Sequence, residues 1–156
     1  MSRVKIFIDG SFDDNSDNPQ GGWACLIKDR LYVESGSVPS SFSAELEGLL
    51  LALKESPKGK QIELFCDSQT VVNGFNKRIK AGLDASTKQG KCRFKSDRRR
   101  WRAILRLAQG RDVIVSWVKG HDTCLFNAMV DRAANRARRE RINYVEKTAQ
   151  RLRAYT

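Results

Sequence analysis

The sequence predicts an α/β protein: a mixed five-stranded sheet, built from a three-strand antiparallel meander plus parallel strands, flanked by helices. Three observations predict it. Before residue 40 the chain holds three short apolar runs separated by turn-forming residues. After residue 40, stretches with apolar residues at i, i+3, i+4 and i+7 alternate with two more short apolar runs. That order of strands and helices favours parallel pairing in the second half. Two of the runs also end in aspartate, Asp9 and Asp67.

Strand one is Val4-Lys5-Ile6-Phe7-Ile8-Asp9. Residues 11–22 carry Asn15, Asn18, Pro19, Gly21 and Gly22 and predict a loop. Residues 23–27 form a short apolar strand, and residues 31–38 its loosely alternating antiparallel partner. Helix A follows, with Leu46, Leu49, Leu50 and Leu53 on one face. Glu45 stands beside that face in the first turns, and Pro57-Lys58-Gly59 ends the helix. Residues 62–66 are strand four, and residues 69–75 a short helix. A basic segment interrupted by Gly82 and Gly90 comes next. Trp101, Ile104, Leu105 and Ala108 then mark another helical face, stopped by Gly110. Residues 113–118 are strand five and residues 121–127 a loop. Asn127 is placed to cap a last helix bearing Asp131, Ala134 and Ala137. The spacing of Ile142, Val145, Ala149 and Leu152 predicts that this helix continues or restarts as a tail over residues 142–156. Trp23, Trp101 and Trp117 fall on apolar patterns and are expected in the core, with a stacking role open for Trp101.

The 156 residues predict one domain over 1–156. A chain of that length buries enough surface to fold without a disulfide or metal. No apolar stretch approaches a membrane span. The N-terminus enters a strand pattern at once and lacks the parts of a signal peptide. Cys25, Cys66, Cys92 and Cys124 are widely spaced, which argues against a zinc site. Free thiols without an export signal predict a reducing, cytoplasmic setting. The net charge is +11, and residues 77–102 hold eleven basic residues against two acidic. Such a surface suits a nucleic-acid partner, with solubility or a solvated loop as the plainer reading.

Four acids stand out against this basic background. Asp9 and Asp67 end strands, Glu45 lies on helix A, and Asp131 follows the single histidine, His121, by ten residues. A carboxylate at a strand end points into the crevice where ligands of open α/β sheets gather. Converging carboxylates repel one another unless divalent cations neutralise them. A basic molecule with an acidic pocket fits a phosphate polymer gripped outside and cut inside. Two Mg²⁺ ions in such a pocket activate water, neutralise the transition state and stabilise the leaving oxygen. Mg²⁺ takes hard oxygen ligands, so His121 is better suited to moving protons.

The motifs Ile8-Asp9-Gly10-Ser11, Ala44-Glu45-Leu46, Cys66-Asp67-Ser68-Gln69 and Trp117-Val118-Lys119-Gly120-His121, with Asn127 and Asp131, occur in one order at fixed intervals. In this the chain resembles a type 1 ribonuclease H, from Val4 to about Arg139. The resemblance implies a ribonuclease H-like fold and cleavage of the RNA strand of RNA–DNA hybrids, leaving 5′-phosphate and 3′-hydroxyl ends. It implies that Asp9, Glu45, Asp67 and Asp131 bind two Mg²⁺ ions, with Mn²⁺ as an alternative. His121 would assist proton movement or product release on a loop beside them. Ser40, Ser41 and Gln69 align with positions that touch phosphate or groove edges, and Asn127 joins them as a nucleic-acid contact. Backbone groups near Gly10 and Ser11 would read the 2′-hydroxyl. The basic stretch falls where the family carries a basic protrusion, here about residues 77–100. Its candidate contacts are Lys77, Arg78, Lys80, Lys88, Lys91, Arg93, Lys95, Arg98, Arg99 and Arg100. A monomer with no membrane partner is expected.

The chain departs from the family in places. Ser41 and Phe42 stand where Asn is common, and Phe42 cannot make an amide's hydrogen bonds. The loop 13–17 is long, the protrusion has no tryptophan before Trp101, and Asn127-Ala128 replaces a common Asn-Glu pair. Two rival readings are a related-fold DNA nuclease, of resolvase or integrase type, and a non-catalytic nucleic-acid-binding module. Four acids concentrated beside phosphate weigh against the module.

Overall fold

The computed structural model describes residues 3–14, 17–80, 95–119 and 125–148. Strands β1 (Val4–Asp13), β2 (Gln20–Ile27) and β3 (Arg30–Ser37) form the antiparallel meander. Helix α1 (Ser41–Glu55) leads to β4 (Ile62–Cys66), which pairs parallel to β1. Helices α2 (Gln69–Lys80) and α3 (Lys95–Ala108) precede β5 (Val113–Trp117), parallel to β4. Helix α4 (Leu125–Glu140) and β6 (Tyr144–Lys147) follow. The sheet order is β5-β4-β1-β2-β3-β6.

Among the described residues the sheet therefore has six strands, one more than the sequence predicts. The extra strand comes from residues expected to be helical. Arg141 takes φ 56°, and its N–H closes the last turn of α4 on the Ala137 carbonyl at 2.7 Å. A left-handed residue there ends the helix and turns the chain back. Tyr144 to Lys147 then pair antiparallel with the otherwise open edge of β3. A free strand edge offers unpaired N–H and C=O groups, and these outweigh a weak helical spacing.

Both faces of the sheet are covered. Ile6, Ile8, Cys25 and Leu64 pack under α1, α2 and α3, with Trp101 and Phe75 fully buried. Phe7, Ala24 and Leu26 pack under Phe126, Val130 and Ala134 of α4. This explains why Ile6, Phe7 and Ile8 are all buried in succession. A Cβ at Gly22 would collide with the Ala134 carbonyl and the Arg138 nitrogen, so a bare backbone lets α4 settle on β2.

Several boundaries differ from expectation. β1 runs on to Asp13, so Asp9 lies within the strand rather than at its end. Its pairing with β4 stops at Phe7–Phe65, however, so Asp9 borders the opening where β4 leaves. Ser40 caps α1, its hydroxyl accepting the Ser43 N–H at 3.0 Å. α2 extends to Lys80 and α3 starts at Lys95, so both ends of the basic segment are helical. α4 already includes Leu125, which places Asn127 inside the first turn and not at the cap. Trp117 is 46% exposed rather than core, because β5 is an edge strand. Among the described residues no helix is long and apolar enough to cross a membrane.

Candidate active site: four carboxylates beside the end of β4

Asp9 is the centre of the site. It is 3% exposed, and its Oδ1 accepts the N–H of Gly10 at 2.9 Å. Among the described residues, no N–H donor reaches its buried Oδ2. Glu45 arrives from the second turn of α1. A Cβ on Gly10 would lie 2.5 Å from the Glu45 nitrogen, so only glycine lets the helix start come this close to β1. Asp67 follows β4 directly. Its backbone is held from the neighbouring strand: Trp117 Nε1 donates to the Asp67 carbonyl at 3.1 Å, and the Val118 N–H to the Cys66 carbonyl at 3.0 Å. Asp131 comes from α4, on the other face of the sheet. Asn135, one turn on, donates to its backbone carbonyl at 3.0 Å.

The four acids meet in two overlapping groups. The carboxyls of Glu45 and Asp131 both come within hydrogen-bonding reach of Asp9. Potential ligand atoms of Glu45, Asp67 and Cys66 lie within 4.8 Å of one another. Burial, then the charges of Glu45, Asp67 and Asp131, push the Asp9 carboxyl far above the ordinary carboxylate range. Burial and Asp67 raise Glu45 as well, opposed in part by hydrogen bonds from Asp9 and the Gly10 N–H. Burial, followed by Glu45, also pushes the Cys66 thiol up. A protonated, buried thiol is a poor ligand, so the donors on offer are carboxylate oxygens. A buried Asp9 oxygen without an N–H donor among the described residues, set among acidic oxygens, fits a hard divalent cation.

The other predicted residues fall into different settings. Gly10 serves the close approach just described. The Ser11 hydroxyl is bonded to Asn135 and Arg138. Ser40 is the cap of α1, Ser41 and Gln69 are exposed at helix starts, and Asn127 is buried under α4. Lys77 and Arg99 are exposed. Arg78 lies over the Trp101 ring at 4.2 Å and donates to the Gly74 carbonyl. Arg100 pairs with Glu47 at 2.9 Å and with buried Asp97 at 3.6 Å. Arg98 is half-buried on the same helix. Lys80 and Lys95 are the terminal residues of α2 and α3. His121, Lys88, Lys91 and Arg93 lie outside the described residues. Sequence reading passed over Asn135 and Trp117 as site residues. The i, i+4 spacing of Asp131 and Asn135 was a signal for the first. Nothing local marks Trp117.

Comparison with known proteins agrees with this geometry. A family model, RNase H, matches residues 1–139. A ribonuclease H of Methylorubrum extorquens (strain PA1) is 30% identical over 145 residues, spanning 90% of this chain and 62% of that protein. A ribonuclease H of Legionella pneumophila (strain Lens) is 28% identical over 138 residues, spanning 85% of this chain and 94% of that protein. Among solved structures, LC9-RNase H1, a type 1 RNase H with the type 2 active-site motif, superposes with a TM-score of 0.73 at 17% identity, covering 96% of this chain and 80% of the other. LC11-RNase H1 in complex with an RNA/DNA hybrid gives 0.64 at 16% identity, covering 89% and 99%. With the motifs in order, the fold shared and the acids converged, the chain belongs to the RNase H family, a family of endoribonucleases.

Proposed function

We propose that this chain hydrolyses the RNA strand of RNA–DNA hybrids with two divalent cations, Mg²⁺ or alternatively Mn²⁺, leaving 5′-phosphate and 3′-hydroxyl ends. The observation that carries the reading is Asp9: buried, with one oxygen lacking an N–H donor among the described residues, beside three further carboxylates. Asp9, Glu45, Asp67 and Asp131 would hold the cations, and the two overlapping groups of acids suit a pair better than one. Bound there, the cations supply a water of lowered pKa and neutralise charge on the scissile phosphate. The chain's own residues set the rest. Gly10 keeps α1 against β1, so Glu45 reaches Asp9. Trp117 steadies Asp67 through its carbonyl. His121 is proposed to move a proton at the leaving oxygen or to assist release. Exposed Lys77 and Arg99, with the lysines and arginines of the basic segment other than inward-turned Arg100, would follow the phosphate backbone, and the Gly10-Ser11 backbone would read the 2′-hydroxyl.

We read residues 1–156 as a single domain with a basic protrusion near 77–100. It would act as a monomer in a reducing, intracellular setting, in keeping with the free thiols of Cys25 and Cys66. The test is cleavage of hybrid, duplex DNA and duplex RNA of one sequence, with and without Mg²⁺. Hybrid-only, metal-dependent cleavage lost in Asp67→Asn is the expected outcome. Equal cutting of duplex DNA, or activity surviving in Asp67→Asn, overturns the reading.

A further inference from the structure

A chain of hydrogen bonds with a fixed direction ends at Asp131. Arg138 Nε donates to Ser11 Oγ at 2.8 Å. Ser11 Oγ donates to Asn135 Oδ1 at 2.6 Å. Asn135 Nδ2 donates to the Asp131 carbonyl at 3.0 Å and reaches Asp131 Oδ1 at 3.4 Å. Arg138 is steadied in turn by Asp13, 3.6 Å away. The Asp131 carbonyl can only accept, so the Asn135 NH₂ faces it and the amide oxygen faces Ser11; the Ser11 hydrogen therefore goes to Asn135, while the Ser11 oxygen accepts from the Arg138 guanidinium, which can only donate. Positive charge stands at one end of the chain and a carboxylate at the other.

The placement follows from both periodicities. Asp9, Ser11 and Asp13 alternate along β1 on the face that Phe7 packs beneath α4. Asp131, Asn135 and Arg138 are one turn apart along α4. The chain thus ties the strand that carries Asp9 to the helix that carries Asp131, next to the point where their carboxyls meet. Asp131 is only half-buried. Without Asn135 its carboxylate could turn to solvent, away from Asp9.

We propose that Asn135 and Ser11 are positioning residues for Asp131, holding its carboxylate toward Asp9 and so setting the cation affinity of the site. The inference rests on the metal-site reading above. It also assigns the Ser11 side chain to the protein's interior wiring, leaving only its backbone for the substrate.

The experiment uses the full chain as wild type, Asn135→Ala, Ser11→Ala, Ser11→Thr and Asp131→Asn. Mn²⁺ binding is measured by calorimetry without nucleic acid, and hybrid cleavage is titrated with Mg²⁺ at saturating hybrid. Outer-sphere partners of metal ligands are typically worth about 10–100-fold in metal affinity. Asn135→Ala and Ser11→Ala should therefore weaken Mn²⁺ binding and raise the half-saturating Mg²⁺ by about 10-fold, with KM for hybrid unchanged at saturating Mg²⁺. Ser11→Thr keeps the hydroxyl and should restore wild-type metal dependence. Should Asn135→Ala fail to fold, the Ser11 pair decides. Unchanged metal dependence in the folded alanine variants overturns the proposal. So does a raised KM with unchanged metal dependence in Ser11→Ala, which returns that hydroxyl to the substrate. If wild type and Asp131→Asn bind Mn²⁺ alike, the metal-site reading itself falls, and this inference with it.

Discussion

At the scale of single residues, Asp9 and Glu45 make the fold sensitive to pH. Both carboxyls are raised above the ordinary range, by burial first and by neighbouring acids second. In the unfolded chain they ionise near about 4. Between that pH and their folded values, the metal-free folded state holds more protons than the unfolded state. Stability without metal must therefore fall as pH rises through this window, and be fully retained below it. Asp9→Asn has no carboxyl that must take up a proton on folding, and so escapes this cost. It is expected to stabilise the metal-free protein by roughly 1–3 kcal/mol at pH 8 and to change little at pH 4, since each unit of pKa shift is worth about 1.4 kcal/mol. Thermal melts in chelator at the two pH values check this, and a variant less stable than wild type at pH 8 would refute it. Asp9 and Glu45 were legible as candidates because each sits in a distinctive local string. Their mutual repulsion was legible only as a guess, since it depends on separations that local sequence does not encode.

At the scale of elements, α1 and α3 are joined by a polar cluster. The Ser43 hydroxyl donates to Asp97 Oδ1 at 2.6 Å, and Ser40 therefore donates to Ser43, 2.9 Å away. Arg100 bridges Asp97 and Glu47. Asp97 is 1% exposed, so the cluster fixes the start of the basic helix against the capped start of α1. Asp97→Ala leaves Arg100 and Ser43 short of an acceptor in a buried place. A loss of about 2–4 kcal/mol is expected, read as a lowered denaturant midpoint. The sequence placed Arg98, Arg99 and Arg100 together as substrate contacts. The structure divides them: Arg99 faces solvent, while Arg100 is turned inward to an acid 53 residues earlier. Helical periodicity identified the Trp101, Ile104, Leu105 and Ala108 face correctly. It could not identify what a boundary residue such as Arg100 would meet. The last helix shows the same limit: its spacing continued past residue 142, yet Arg141 reversed the chain and β3 captured Tyr144 to Lys147.

At the scale of the whole molecule, a chain of net charge +11 holds an acidic cluster of Asp9, Glu45, Asp67 and Asp131. Such a distribution draws a polyanion to the surface and lets cations mediate at the cutting point. Hybrid affinity should fall steeply with salt. Each phosphate contact removed should lower the slope of log K against log salt by about 0.7–0.9. Lys77→Gln with Arg99→Gln is expected to flatten the slope, because both side chains face solvent. Arg100→Gln is expected to lower stability and leave the slope nearly unchanged. Equal slopes for Lys77→Gln/Arg99→Gln and wild type would remove those two residues from the footprint. Binding titrations across a salt series, with Ca²⁺ in place of Mg²⁺ to prevent cutting, make the measurement.

The amino-acid sequence alone determined the α/β class, the meander and the parallel pair, and it singled out four acids that the fold brings together. Those features rest on short-range chemistry: apolar periodicity, turn formers, and a carboxylate placed where an apolar run stops. Tertiary structure decided the sixth strand, the inward role of Arg100, the exposure of Trp117 and the wiring from Arg138 through Ser11 and Asn135 to Asp131. Each depends on which surfaces meet across the sheet. A Ser11 hydroxyl has no preference of its own between solvent and an amide 124 residues away; only the packing of α4 on β1 and β2 supplies the partner.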